Sequence, residues 1–209
     1  MKQNFLNKFL SKILPSLSET SNEQISDEEK ELENFKVKSD DPVDVIFAKN
    51  FTKNNGKFFY CDNLDSFFSN FENLLSESRW NMTYCINSKL KKMLKSTSIE
   101  IKNNHLNADS SISNCEFLIA FDGSVMVSSE QTKNIKIEEL PDSLVIVAYT
   151  SQIVKNISEG LNGIQIKYGQ SRPSLVTTIR TKESISTMSD SDRTKDLYVF
   201  LIEDFKEKR

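Results

Sequence analysis

Three short segments carry side chains that could work on a small polar ligand. Asp122, Gly123 and Ser124 lie between two apolar runs and are followed by Ser128, Ser129 and Glu130. Hydroxyls, backbone amides and two carboxylates could converge there on one ligand. Tyr149, Thr150 and Ser151 follow another apolar run and precede a helical pattern, and the free N–H groups of a helix start favour an anion. Gly169, Gln170, Ser171 and Arg172 offer a guanidinium suited to phosphate or carboxylate. Each segment also has a plainer reading: polar turns that close a hairpin, a simple helix cap, and a loop ahead of Pro173.

Scarce residue types narrow the reaction classes. The single histidine, His105, excludes metal sites built on paired imidazoles and leaves a Ser-His-Asp arrangement one candidate base. It sits in the polar run Lys102 to His105, which reads as a solvated loop, and no GxSxG elbow accompanies it. Neither GxGxxG nor GxxxxGK[ST] occurs, and five glycines leave little scope for a phosphate loop. Cys61, Cys85 and Cys115 are widely spaced without a CxxC pair. This argues against a disulfide framework, a zinc knuckle or an iron–sulfur cluster on this chain alone, and fits a reduced compartment. No cofactor is expected. With 27 basic against 30 acidic residues and a formal charge of -3, nothing draws the chain globally to nucleic acid.

An open α/β sheet can position such segments, because it presents ligand-facing residues at the carboxyl ends of its strands. Residues 42–205 read as that domain. Val43, Val45, Ile46, Phe47 and Phe51 suit one helix face, ended by Asn54, Asn55 and Gly56. Phe58 to Cys61 reads as a strand. Phe67, Phe68, Phe71, Leu74 and Leu75 recur at helical spacing behind the candidate caps Asp62, Asn63 and Asp65. Met82 to Ile86 reads as the next strand, and Leu90 to Leu94 as a helix with Lys89, Lys91, Lys92 and Lys95 outward. The runs Phe117–Phe121, Ser124–Val127, Leu144–Ala148, Leu175–Ile179 and Leu197–Ile202 have the composition of buried strands. Asp122 and Gly123 predict a tight turn and one antiparallel pair. Thr150 or Ser151 is expected to cap a helix through Ile153, Val154, Ile157 and Leu161 that ends near Gly160 to Gly163. The predicted architecture is α/β, with a mixed, largely parallel sheet flanked by helices.

Ahead of this domain, Phe5, Leu6, Phe9, Leu10, Ile13 and Leu14 predict an amphipathic helix over residues 1–14. Lys8 and Lys12 interrupt what would be a signal-peptide core, and no small-residue cleavage site follows, so a cytoplasmic location is expected. Such a helix docks on its own domain or on a partner, or lies on a membrane surface. Residues 15–41 read as an acidic and polar linker, and residues 206–209 as a charged tail.

The segment Ala108 to Val127, ADSSISNCEFLIAFDGSVMV, resembles a stretch of LUD-domain proteins, the lactate utilisation protein C group. That stretch usually reads like A-x-x-G-I-T-x-A-D-x-x-I-A-E-T-G-T-L-V. Ala108, Ile112, Ile119, Ala120, Gly123, Val125 and Val127 match, with Ser113 and Ser124 standing for threonines. Leu140 to Leu161, Asp196 to Asp204 and Asn50 to Cys61 resemble further strands and helices of the family. The resemblance implies a NagB/RpiA/CoA transferase-like fold and a role in oxidising lactate to pyruvate beside iron–sulfur partner proteins. Phe121-Asp122-Gly123 stands where the family has Glu-Thr-Gly, and Thr181 to Ser186 where it has a Gly-Pro-Ser-Arg motif, so the most site-like family motif is missing. The resulting expectation is an accessory or regulatory component of lactate or related organic-acid utilisation, without catalysis of its own. One alternative is a ligand-binding enzyme of the CoA-transferase or folate cyclo-ligase type, using Asp122 or Glu130 as acidic group and the Thr150-Ser151 terminus for phosphate or carboxylate. Another is a non-catalytic interaction module acting through residues 1–14.

Overall fold

The computed structural model describes residues 36–38, 40–181 and 194–204. The expected amphipathic segment 1–14, most of the linker, the segment 182–186 and the tail 206–209 lie outside the described residues. The chain divides into two units, Met1–Asp41 and Pro42–Arg209. In the first, the Asp41 N–H donates to the Lys38 carbonyl at 3.2 Å and the Lys38 N–H to the Asp41 carboxylate at 2.8 Å, closing a turn.

The second unit begins with helix α1 (Val43–Lys53), strand β1 (Lys57–Cys61) and helix α2 (Leu64–Ser78). Strand β2 (Met82–Tyr84), helix α3 (Ser88–Met93) and strands β3 (Glu100–Lys102), β4 (Ser110–Asn114), β5 (Phe117–Ile119) and β6 (Ser124–Ser128) follow. The short helix α4 (Ser129–Thr132), strands β7 (Ser143–Tyr149) and β8 (Ile153–Val154), helix α5 (Ile157–Tyr168) and strands β9 (Val176–Thr181) and β10 (Thr194–Ile202) complete it. Six strands pair in parallel in the order β3-β2-β4-β7-β10-β1. A second section holds β6 antiparallel to both β5 and β9, with β8 parallel to β5. The sections join where Thr194 and Lys195 run parallel to Arg180 and Thr181. The sheet is therefore mixed and largely parallel, as the alternating apolar runs predict.

Strand β10 is central because Leu197 to Ile202 are buried on both faces. Toward α2, Phe200 stacks on Phe59 at 4.5 Å between ring centroids and meets Phe67 and Phe71 edge-on at 5.3 and 5.8 Å. Side chains alternate along a strand, so the neighbouring Phe58 points the other way, to Phe47 and Phe51 of α1. Burial of each ring contributes about 1.5–3 kcal/mol. Helix α2 starts at Asn63, which exchanges side-chain and backbone hydrogen bonds with Ser66, and stops at Arg79, whose φ is 59°.

Two expectations about α5 are corrected. Thr150 to Gln152 form a 3-10 turn, and the α5 cap is Asn156, whose carboxamide accepts the Glu159 N–H at 3.0 Å. Nor do Gly160 and Gly163 end the helix. A Cβ at Gly160 would lie 2.8 Å from Met126 Cε, and one at Gly163 would strike the Phe117 ring, so both glycines let the helix approach β5 and β6 closely. Among the described residues, no helix is long and apolar enough to cross a membrane.

The expected hairpin turn is present between β5 and β6, and it docks on α1. Asn50 Nδ2 donates to the Ala120 and Phe121 carbonyls at 2.8 and 3.1 Å, and Asn54 Nδ2 to the Asp122 carbonyl at 3.0 Å. Gly123 has a φ of 67°, and a Cβ there would sit 2.6 Å from the Phe51 nitrogen. Gly123→Ala combines a left-handed backbone with a clash against main chain, so urea unfolding is expected to show a loss of about 2–4 kcal/mol. A loss below about 1 kcal/mol would contradict this docking.

Candidate functional site

The chain leaves β2 toward β3 on one side and leaves β4 toward β7 on the other, so the strand order reverses between β2 and β4. Open α/β sheets form their ligand crevices at the carboxyl ends of strands beside such a reversal. Here those ends carry Cys85 to Asn87 and Cys115 to Glu116. An amide bridge links them: Asn87 Nδ2 donates to Asn114 Oδ1 at 2.9 Å, while Asn87 Oδ1 caps α3 by accepting the Lys89 and Leu90 N–H groups.

Glu116 occupies the bend between β4 and β5, with no exposure of its side chain. Its Oε1 accepts from Ser128 Oγ at 2.7 Å, Tyr168 OH at 2.8 Å and Gln131 Nε2 at 2.9 Å, and its Oε2 from Lys167 Nζ at 2.7 Å. Each donor has its own reason for being there. Ser128 ends β6 and caps α4 in a reciprocal box with Gln131, and Lys167 and Tyr168 form the last turn of α5. Burial pushes the Glu116 carboxyl up, but the bonds from Lys167, Ser128, Gln131 and Tyr168 outweigh it and hold the group below the usual carboxylate range. Burial likewise pushes the Lys167 ammonium down, and its pairing with Glu116 more than reverses that. The Tyr168 phenol is pushed up by burial and by donating to Glu116. An ionised carboxylate held below the usual range by four donors lacks the near-neutral pKa of a general base, and acts instead as an electrostatic fastener.

The ends of β7 and β10 are tied in a similar way. Asp204 accepts from Thr150 Oγ1 at 2.7 Å, the Ser151 N–H at 3.0 Å and Ser151 Oγ at 2.5 Å. Burial pushes its carboxyl up, and the Ser151 and Thr150 bonds outweigh that and lower it. Because no α-helix starts at Thr150, and the Ser151 amide is already bound to Asp204, these residues do not form the open helix terminus expected for an anion. Gln152 Nε2 donates to the Cys115 and Glu116 carbonyls at 2.8 and 3.2 Å, so the 3-10 turn after β7 also holds the bend that carries Glu116.

The remaining expected site residues do not converge. Asp122 bonds the Ser124 hydroxyl at 2.6 Å and N–H at 3.1 Å through Oδ1, and pairs with Arg180 at 3.0 Å through Oδ2. Ser129 and Glu130 lie at the other end of β6, roughly 15 Å away at the rise of a strand. Ser129 Oγ accepts the Ser174 N–H at 3.1 Å, and the exposed Glu130 faces Lys133 at 3.6 Å. Arg172 is exposed on the loop after α5, with its Nε donating to the Gly169 carbonyl at 3.2 Å. His105 lies edge-on to Tyr84 at 5.7 Å. The three cysteines are free and buried. Burial raises the Cys61 and Cys85 thiols to about 11 and Cys115 further. Among the described residues, no group of three or more His, Cys, Asp or Glu side chains could hold a metal ion.

A carboxyl held low in the folded state adds stability that is present above its unfolded pKa, near 4.3, and lost as the pH falls through the folded value. Glu116→Gln is expected to lose about 2–4 kcal/mol at neutral pH and to show a shallower further loss on acidification. Lys167→Met removes one donor, so the carboxyl rises and the acid-unfolding midpoint moves to higher pH. Because Lys167 is half exposed, its cost at neutral pH is smaller, about 1–2 kcal/mol. Urea unfolding measured from pH 3 to 7 checks both, and an acid limb unchanged in Glu116→Gln would contradict the assignment.

Comparison with known proteins agrees with this architecture. The model of the LUD domain family matches residues 46–207. Among solved structures, the chain is similar to a DUF162 family protein from Deinococcus radiodurans, at 12% identity and a TM-score of 0.57, over 78% of this chain and 96% of that one. At that identity the likeness carries the fold alone. No curated protein matches the sequence. The family match spans most of the chain and coincides with the mixed sheet and its flanking helices: the chain belongs to the LUD domain family, which associates it in general terms with lactate utilisation.

Proposed function

We propose that this LUD-domain chain is a cytoplasmic accessory or regulatory component of lactate or related organic-acid utilisation, working with iron–sulfur oxidoreductase partners and performing no catalysis on its own. The observation that carries this reading is the fully buried Glu116 carboxylate at the reversal in strand order, bound by four donors of the protein itself. A group at that position that served as acid or base would need a pKa near the working pH, and the Glu116 carboxyl is held below the usual carboxylate range. The thiols support the same view: Cys61, Cys85 and Cys115 are buried and held in the protonated form, which suits neither nucleophiles nor cluster ligands, so redox centres belong on the partners. The enzymatic alternative has weaker support, since Asp122 is engaged by Ser124 and Arg180 and Glu130 is exposed beside Lys133.

Deletion of the gene is expected to slow growth on lactate, with rescue by the full chain. Cysteine-rich redox proteins are expected to co-purify with the tagged chain, and the purified chain alone should not reduce an artificial electron acceptor with lactate. Normal growth of the deletion strain, or turnover of lactate by the chain alone, would overturn this reading.

A further inference from the structure

A cavity of about 20 Å³ lies between β4 and the segment that follows β6. Its walls are mostly apolar, among them Ile146 and Ile179, but Ser111, Gln131 and Thr132 also line it. Ser111 is 2% exposed and Thr132 6%, and neither hydroxyl has a hydrogen-bond partner in the protein. Of the three buried side chains left unpaired among the described residues, these two belong to residues that line the same small space. Such a coincidence needs an explanation, because buried hydroxyls are otherwise paired.

The volume decides what fits. A cavity above about 10–15 Å³ admits one water when two or more polar groups can hold it, and a space of about 20 Å³ is too small for an organic ligand. We propose that one ordered water occupies this cavity and bridges Ser111 Oγ to Thr132 Oγ1. Gln131 borders the same space and donates to Glu116. The water ties α4, which also carries Gln131, to the main sheet at β4. This hydration site is independent of the role in lactate utilisation.

The sign of one substitution separates a wet cavity from a dry one. Thr132→Val keeps the shape and removes the hydroxyl. In a dry cavity it relieves an unpaired polar group, and the melting temperature rises or holds. In a hydrated cavity it strips the water of a partner, and the melting temperature falls by roughly 2–4 °C. The fall is expected, together with a similar one for Ser111→Ala and little further loss in the double variant, since both hydroxyls serve one water. Oxygen-17 relaxation dispersion on the full chain is expected to report one fewer long-lived internal water in Thr132→Val. An unchanged or raised melting temperature in Thr132→Val, additive losses in the double variant, or an unchanged dispersion amplitude would overturn the proposal.

Discussion

A carboxylate taken wholly out of water is costly unless its charge and its polar atoms are matched, and Glu116 imposes that demand at the bend between β4 and β5. Meeting it requires Ser128 from the end of β6, Gln131 from α4, and Lys167 and Tyr168 from the last turn of α5 to be in place together. Gln152 then secures the same bend through its carbonyls. Segments far apart in the chain thus share one requirement, and the sheet edge that could host a ligand is filled by the protein's own groups. This is why the residues best suited to chemistry are the least available for it.

The main parallel section rests on different physics. Phe200, Phe59, Phe67 and Phe71 form a contiguous aromatic layer under α2, with the directionless burial energy usual for a core. The smaller section, by contrast, is placed by directional contacts. Asn50 and Asn54 hold the hairpin turn to α1, Arg180 closes on Asp122, and Gly160 and Gly163 bring α5 down on Met126 and Phe117. Hydrophobic burial sets the layers, and polar contacts set how the second section sits on them.

Much of this was legible in the sequence. The apolar runs from Phe117, Ser124, Leu144 and Leu197 became β5, β6, β7 and β10, because buried strands must be continuously apolar. Asp122-Gly123 was readable as a turn because a left-handed residue there calls for glycine. Polar strand β3 was missed: Glu100 and Lys102 are charged, and three residues are too few to show alternation. The start of α5 was misplaced because Thr150, Ser151 and Asn156 are all good caps, and only the two-residue strand β8 between them decides which one works. The site was harder still. Neighbours in sequence, such as Asp122 and Ser129, are parted by the length of a strand. The donors to Glu116 lie 12, 15, 51 and 52 residues away, beyond any local pattern. One signal did exist, since the family stretch that resembles Ala108 to Val127 carries an aspartate at the position of Glu116.

Glu116 stays ionised and bound by its four donors across the physiological range. Carbon-13 NMR of the folded chain labelled at glutamate side-chain carboxyls, with the Glu116 signal assigned by comparison with Glu116→Gln, measures this directly. The Glu116 resonance is expected to begin titrating only below the ordinary glutamate range near 4.3, if at all before acid unfolding. A midpoint at or above that range would contradict it, and would mark Glu116 as a group available for proton transfer.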